Sequence, residues 1–172
     1  GPMFSGKSTA LIQRLQAAAA GLPPGRVRAF KPASDTRYAP GAIVTHPGAS
    51  LPAQALTDPA ALPGLADEAQ VVGIDEAHFF GAAIVGPVRT LVDRGVHVLV
   101  AGVERDHRGA PFDPFPALLI EADEVVKLLS VCARCGQPAV HSQRLFDSSE
   151  RVAVGGPGDY EARCRRCFQP PA

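Results

Sequence analysis

The sequence predicts an α/β fold, a parallel sheet flanked by helices, followed by a small C-terminal zinc-ribbon-like lobe. Three observations carry that prediction. The loop Gly1-Pro2-Met3-Phe4-Ser5-Gly6-Lys7-Ser8 opens a run with helical apolar spacing. Two short apolar runs, Val71–Ile74 and Val96–Gly102, each lead into a polar segment, as buried parallel strands do. Four cysteines stand near the end as two CxxC pairs, Cys132/Cys135 and Cys164/Cys167.

Composition sets the outer limits. A chain of 172 residues holds one well-packed core and a small satellite, which places an α/β unit over 1–130 and a small cysteine-bearing lobe over 131–172. Lys plus Arg (17) balance Asp plus Glu (17), so no global basic field argues for a nucleic-acid polymer as partner. No apolar run approaches the ~20 residues that span a bilayer, and no secretory leader pattern is visible, so a reducing, cytoplasmic setting without a membrane partner is expected.

The opening loop satisfies G-x-x-x-x-G-K-[ST], in which glycines let backbone N–H groups converge on phosphate oxygens. Lys7 would reach the β- and γ-phosphates and Ser8 a bridging Mg²⁺, so the fold is read as P-loop NTPase-like. Such a loop ordinarily follows a buried strand, and none precedes Gly1; the expectation is a sequence that begins after its first strand. Leu11, Ile12, Leu15, Ala18 and Ala19 mark the helix that follows, stopped by Gly21 and Pro23. Arg26–Phe30 reads as a strand ending in the polar stretch Lys31–Tyr38. From 39 to 67 the Pro-, Gly- and Ala-rich composition predicts a long surface loop carrying a solvated His46, with a weak helix over Pro59–Gln70.

Val71–Ile74 delivers Asp75 and Glu76 to the binding edge of the sheet, Asp75 as the Mg²⁺-side carboxylate and Glu76 free to accept a proton. A helix follows over 82–94 with Ile84, Val85, Val88, Leu91 and Val92 on its buried side. His97 in the next strand reads as a packed or edge residue. The 103–112 loop brings Arg105 and Arg108, as phosphate contacts or as surface ion pairs with Glu104 or Asp106. A short helix is predicted over 116–122 and a strand over 124–129. The two cysteine pairs, separated by 28 residues (136–163), suit a closed tetrahedral Zn²⁺ site of structural type; the alternative is two disulfides.

In order along the chain, GPMFSGKS, KPASDTRY, IDEAHFF, the 101–112 loop, VVKLLSVCARC and GGPGDYEARCRRC resemble the zinc-containing cellular thymidine kinases from the first residue to Cys167. The resemblance implies a homotetrameric enzyme that moves the γ-phosphate of ATP to the 5′-hydroxyl of thymidine or deoxyuridine, with Glu76 as catalytic base. It implies ATP and Mg²⁺ contacts from Gly1, Pro2, Met3, Phe4, Ser5, Gly6, Lys7, Ser8, Asp35, Thr36, Arg37, Asp75, Glu76, Ala77 and His78. The nucleoside would meet Met3, Phe79, His107, Phe112, Arg151, Val152, Ala153, Val154, Gly155 and Tyr160, and structural zinc the four cysteines. His78 stands where the family usually has glutamine, and His107 where it commonly has phenylalanine, which makes the pocket more polar. Two other classes fit parts of the pattern. A phosphate-loop ATPase switch would need no nucleoside, and a zinc-ribbon nucleic-acid module would use Arg134, Arg144, Arg163, Arg165 and Arg166 as its basic face.

Overall fold

The computed structural model describes residues 1–37, 39, 41–45 and 48–170. Tyr38 and His46, named above, lie outside them. Helix α1 (Lys7–Ala20) runs from the opening loop and buries Leu11, Ile12 and Leu15, while Ala19 stays exposed. It packs on a four-stranded parallel sheet ordered β4 (Gln54–Leu56), β1 (Val27–Pro32), β5 (Val71–Ile74), β6 (His97–Val100). The central strand β5 is buried throughout and pairs in register with β1 (Ala29 with Gly73) and with β6 (Gly73 with Leu99). A Cβ on Gly73 would lie 2.5 Å from a methyl of Leu15, so glycine is what lets α1 sit this close to the sheet. Residues of β1 and β5 with Leu62, Ile84, Leu91 and Phe115 form the core on the opposite face.

The 39–67 stretch departs from the expected structureless loop. It holds the antiparallel hairpin β2 (Ala42–Val44) and β3 (Ser50–Pro52), and strand β4, which adds to the sheet edge beside β1. Its apolar positions are too few and too widely spaced for a period to show, yet Ile43 and Leu56 are almost wholly buried. The weak helix shrinks to a 3-10 turn (Pro59–Ala61) and one helical turn, α2 (Leu62–Leu65). The expected 82–94 helix is a 3-10 segment (Ala77–Ile84) broken at Gly81 (φ 58°), then α3 (Val85–Asp93); Val92 is 51% exposed and lies on its outer face. Helix α4 spans Phe115–Glu121.

The strand expected over 124–129 is not formed. Val125, Val126 and Leu129 are about half exposed, and this segment pairs with no described strand, so β-propensity found no ladder to join. β6 is the sheet edge on that side, and His97 there is exposed, as an edge histidine. Beyond it come β7 (Ser130–Val131) and β8 (Pro138–Ala139), then β9 (His141–Arg144) paired with β10 (Tyr160–Arg163). Arg144 and Arg163, read above as basic surface, are buried at 8% and 3%; each is committed to internal hydrogen bonds and neither presents charge to a polymer.

Candidate active site

The site lies at the C-terminal edge of the sheet, where a cleft of about 940 Å³ meets a small cavity of about 50 Å³. Among the described residues only two non-glycines have positive φ, Phe4 (62°) and Glu76 (49°), and both are here. Backbone held in this region costs roughly 1–3 kcal/mol and persists where its surroundings over-determine it.

The opening loop curls through Gly6 (φ 77°) into α1, whose first turn carries no side-chain cap and no acidic residue, leaving its amides available to an anion. Lys7 donates to the Pro2 carbonyl at 2.6 Å, and burial lowers its pKa against the pull of Glu76 and Asp75. The Ser8 hydroxyl hydrogen-bonds Asp75, which burial and then the Glu76 charge push up to about 6. Two oxygen ligands suited to Mg²⁺ therefore lie side by side beside the loop.

Arg37 links two carboxylates of the cleft, Asp35 and Glu76. Its Nε is 2.7 Å from Asp35 and its guanidinium donates to Glu76 Oε1, also at 2.7 Å. Burial works against its charge, but Asp35 and Glu76 raise its pKa well beyond the ordinary arginine range. Burial pushes the Glu76 carboxyl up, and His78 when charged, Arg37 and Lys7 overcome it, so Glu76 titrates below the usual range and is ionised at neutral pH. Lys31 is also buried in the cleft, donating to the Ala39 carbonyl at 3.3 Å with Asp35 4.0 Å away.

His78 Nδ1 lies 3.4 Å from the Val103 amide and 3.5 Å from Glu76 Oε2. Its ring packs against Phe79 and Phe112, with centroids 4.3 and 5.3 Å apart, and burial lowers its pKa to about 4. Met3, Phe79, His107, Phe112, Arg151, Val152, Ala153, Gly155 and Tyr160 all line the small cavity, as do Glu76 and Arg37. Val154 does not, and is 45% exposed. Ala77 is core, its amide donating to Ala101 as β5 ends, and Thr36 points to solvent. Gly1 and Pro2 are absent from the lining of either cavity, whereas Met3 to Ser8 line the cleft.

Several residues escaped sequence reasoning. Arg144 donates to the Glu150 carbonyl (2.7 Å), the Arg151 carbonyl (3.1 Å), the Ser148 carbonyl (3.4 Å) and the Tyr160 hydroxyl (3.2 Å). The Tyr160 hydroxyl in turn donates to the Ala153 carbonyl at 2.8 Å. Arg151 reaches across to buried Asp106 at 2.8 Å and lies over the Phe112 ring, closing the 148–155 segment onto the 103–112 loop. Asp106 was legible as a turn former: its side chain accepts from the Arg108 and Ala110 amides, and Gly109 follows. Arg144 carried no such signal, since it stands among other arginines in the sequence.

The four cysteine sulfurs lie within 4.8 Å of one another, and Cys135 and Cys164 are 3.6 Å apart. None is joined in a disulfide. Tetrahedral Zn²⁺ at ~2.3 Å from each sulfur needs sulfurs about 3.8 Å apart, so the donor set fits that ion. Around Cys132 burial is outweighed by backbone amides, taking its thiol down to about 6, while hydrogen bonds that the Cys167 thiol donates to the other cysteine sulfurs hold it up to about 12. Four thiolates this close need a cation, and zinc here would tie β7 to β10 without an open coordination position.

Comparison with known proteins agrees with this geometry. The thymidine kinase family model matches residues 1–168. The thymidine kinase of Rhodothermus sp. (strain ITI 518) is 44% identical over 171 residues, covering 99% of this chain and 79% of that one. Those of Bacteroides fragilis (strain YCH46) and Coprothermobacter proteolyticus are 41% and 44% identical, over 98% and 95% of this chain and 84% and 85% of theirs. A match along nearly the whole length, through every segment that builds the cleft and the cysteine cluster, makes this chain a member of the thymidine kinase family.

Proposed function

We propose that the chain transfers the γ-phosphoryl group of ATP to the 5′-hydroxyl of thymidine or deoxyuridine, giving the 5′-monophosphate for deoxynucleotide salvage and DNA synthesis. The observation that carries this reading is that Glu76 and Arg37 line both the large cleft and the small cavity, so one carboxylate faces a phosphate site and a second, smaller pocket together. Loop amides, Lys7 and the α1 N-terminus would hold the triphosphate, and Ser8 with Asp75 would hold Mg²⁺, which when bound would supply neutralisation of phosphate charge. The pyrimidine lies between Phe79, Phe112 and His107, its polar edge meeting backbone groups of 151–155. Glu76 accepts the 5′-hydroxyl proton as the oxygen attacks in line. Because Arg37 grips Glu76 Oε1, it releases that oxygen when it turns to the incoming phosphates, which readies the base when the donor is bound.

Zinc closes the C-terminal lobe, and the division into a 1–130 unit and a 131–172 lobe, the homotetramer and the cytoplasmic location belong to the same proposal by family resemblance. Sedimentation of the purified protein tests the assembly. The decisive assay compares ADP formation from Mg-ATP with and without thymidine. Formation that depends on thymidine, with thymidine monophosphate as product, supports the kinase; ADP release indifferent to thymidine overturns it in favour of an ATPase.

A further inference from the structure

We infer that the cysteine cluster sets the shape of the phosphate-binding loop, so that metal occupancy controls affinity for the phosphate donor, with Phe4 as the positioning residue that joins them. This rests on the reading of Gly1–Ser8 as the donor loop. Phe4 holds φ at 62°, a conformation unfavourable for any residue with a Cβ, at the crest of that loop. Its side chain packs on the cluster formed by Cys132, Cys164 and Ala162, alongside Cys135 and Cys167.

The loop backbone is held from the same side. The Phe4 carbonyl accepts from Ser130 Oγ at 3.1 Å, and the Met3 amide donates to Ser142 Oγ at 2.9 Å. Ser130 lies in β7, two residues before Cys132; Ser142 lies in β9, paired to Ala162 of β10, two residues before Cys164. Ser130 therefore sits on a strand that the cysteines tie directly and Ser142 on one held to them through its ladder with β10, each more than 120 residues away along the chain. Without a cation no bond ties the four sulfurs, which lie within 4.8 Å of one another, so the two CxxC turns are free to part and the apolar seat of Phe4 opens. The loop then has no reason to keep the strained turn that aims its amides at phosphate.

Coupling between two sites is reciprocal, so it is readable at the metal as well as at the nucleotide. The experiment uses the full-length zinc-loaded protein without thymidine. ADP affinity is measured by calorimetry, and zinc affinity by competition with a chromophoric chelator, with and without saturating ADP. ADP should raise zinc affinity about fivefold or more, within the range usual for linked sites. Phe4→Ala should bind zinc yet lose most of that coupling, Phe4→Leu should restore part of it, and Ser130→Ala, which keeps the apolar contact, should weaken it. Failure to bind ADP at all would refute the donor-loop reading. Binding of ADP that leaves zinc affinity unchanged, or full coupling in Phe4→Ala, would overturn the inference while leaving the donor-loop reading in place.

Discussion

The two halves of the site are held by different means. Asp75 and Glu76 stand at the end of a strand with parallel partners on both sides, so backbone ladders fix the position of the proposed base. The 145–159 segment opposite contains no strand or helix; it is shaped by the buried Arg144, the Tyr160 hydroxyl, the Arg151–Asp106 clasp and the cysteine cluster beyond. The proposed chemistry thus falls on the side fixed by strand ladders, and enclosure on the side assembled by side chains and the cysteine cluster. Changes on the first side should act on turnover, and changes on the second on binding and local order.

The largest effect should come from Glu76→Gln, which keeps the shape but removes the proton acceptor. A fall in kcat of about 10²–10⁴ with little change in nucleoside KM is expected in steady-state assays. Loss of the metal comes next: Cys164→Ser should abolish stoichiometric zinc by metal analysis and open 145–159 to limited proteolysis, with the sheet retained by circular dichroism. Arg144→Ala strands three carbonyls and a hydroxyl, and should raise thymidine KM about tenfold or more, with a loss of about 2–3 kcal/mol in urea unfolding. Were it to lower kcat alone, the division between the two sides would be wrong.

His78 sharpens the contrast by pH. Its folded-state pKa of about 4 lies below the ordinary 6.5, so between those values the unfolded chain binds a proton that the folded one refuses. Stability therefore falls as pH drops through this window. His78→Gln should lessen the loss between pH 7.5 and pH 5 by about 2 kcal/mol, measured by urea denaturation at both pH values. The smallest effect belongs to Arg151→Ala: its side chain is half exposed, and the lost ion pair should change thymidine KM by only a few-fold.

How much of this could be read from the sequence follows the same division. Val71–Ile74, α1 and the acidic pair were legible because burial on a sheet leaves periodic or continuous apolar runs, and the CxxC pairs because metal ligation fixes spacing. The hairpin at 42–52 and strand β4 were missed, since three-residue strands leave no period. The 124–129 run has the composition of a strand and yet pairs with nothing described, because strand formation depends on a neighbour that composition does not reveal. Arg144 and Ser142 were hidden for another reason: a buried polar hub looks like surface until the groups it satisfies are seen together.

The contact of Gly73 with Leu15 has a bearing on catalysis that burial alone does not convey. The strand that leads to Glu76 and the helix that begins at Lys7 and Ser8 leave no room for a Cβ between them at Gly73 and Leu15, so this contact sets the spacing between the proposed base and the phosphate loop. Nucleophile and leaving group must keep an in-line approach of a few ångströms, and a misplacement near 1 Å can cost on the order of a hundredfold in rate. A single added methyl at position 73, two residues before Asp75, would act as a shim that changes the reaction distance itself.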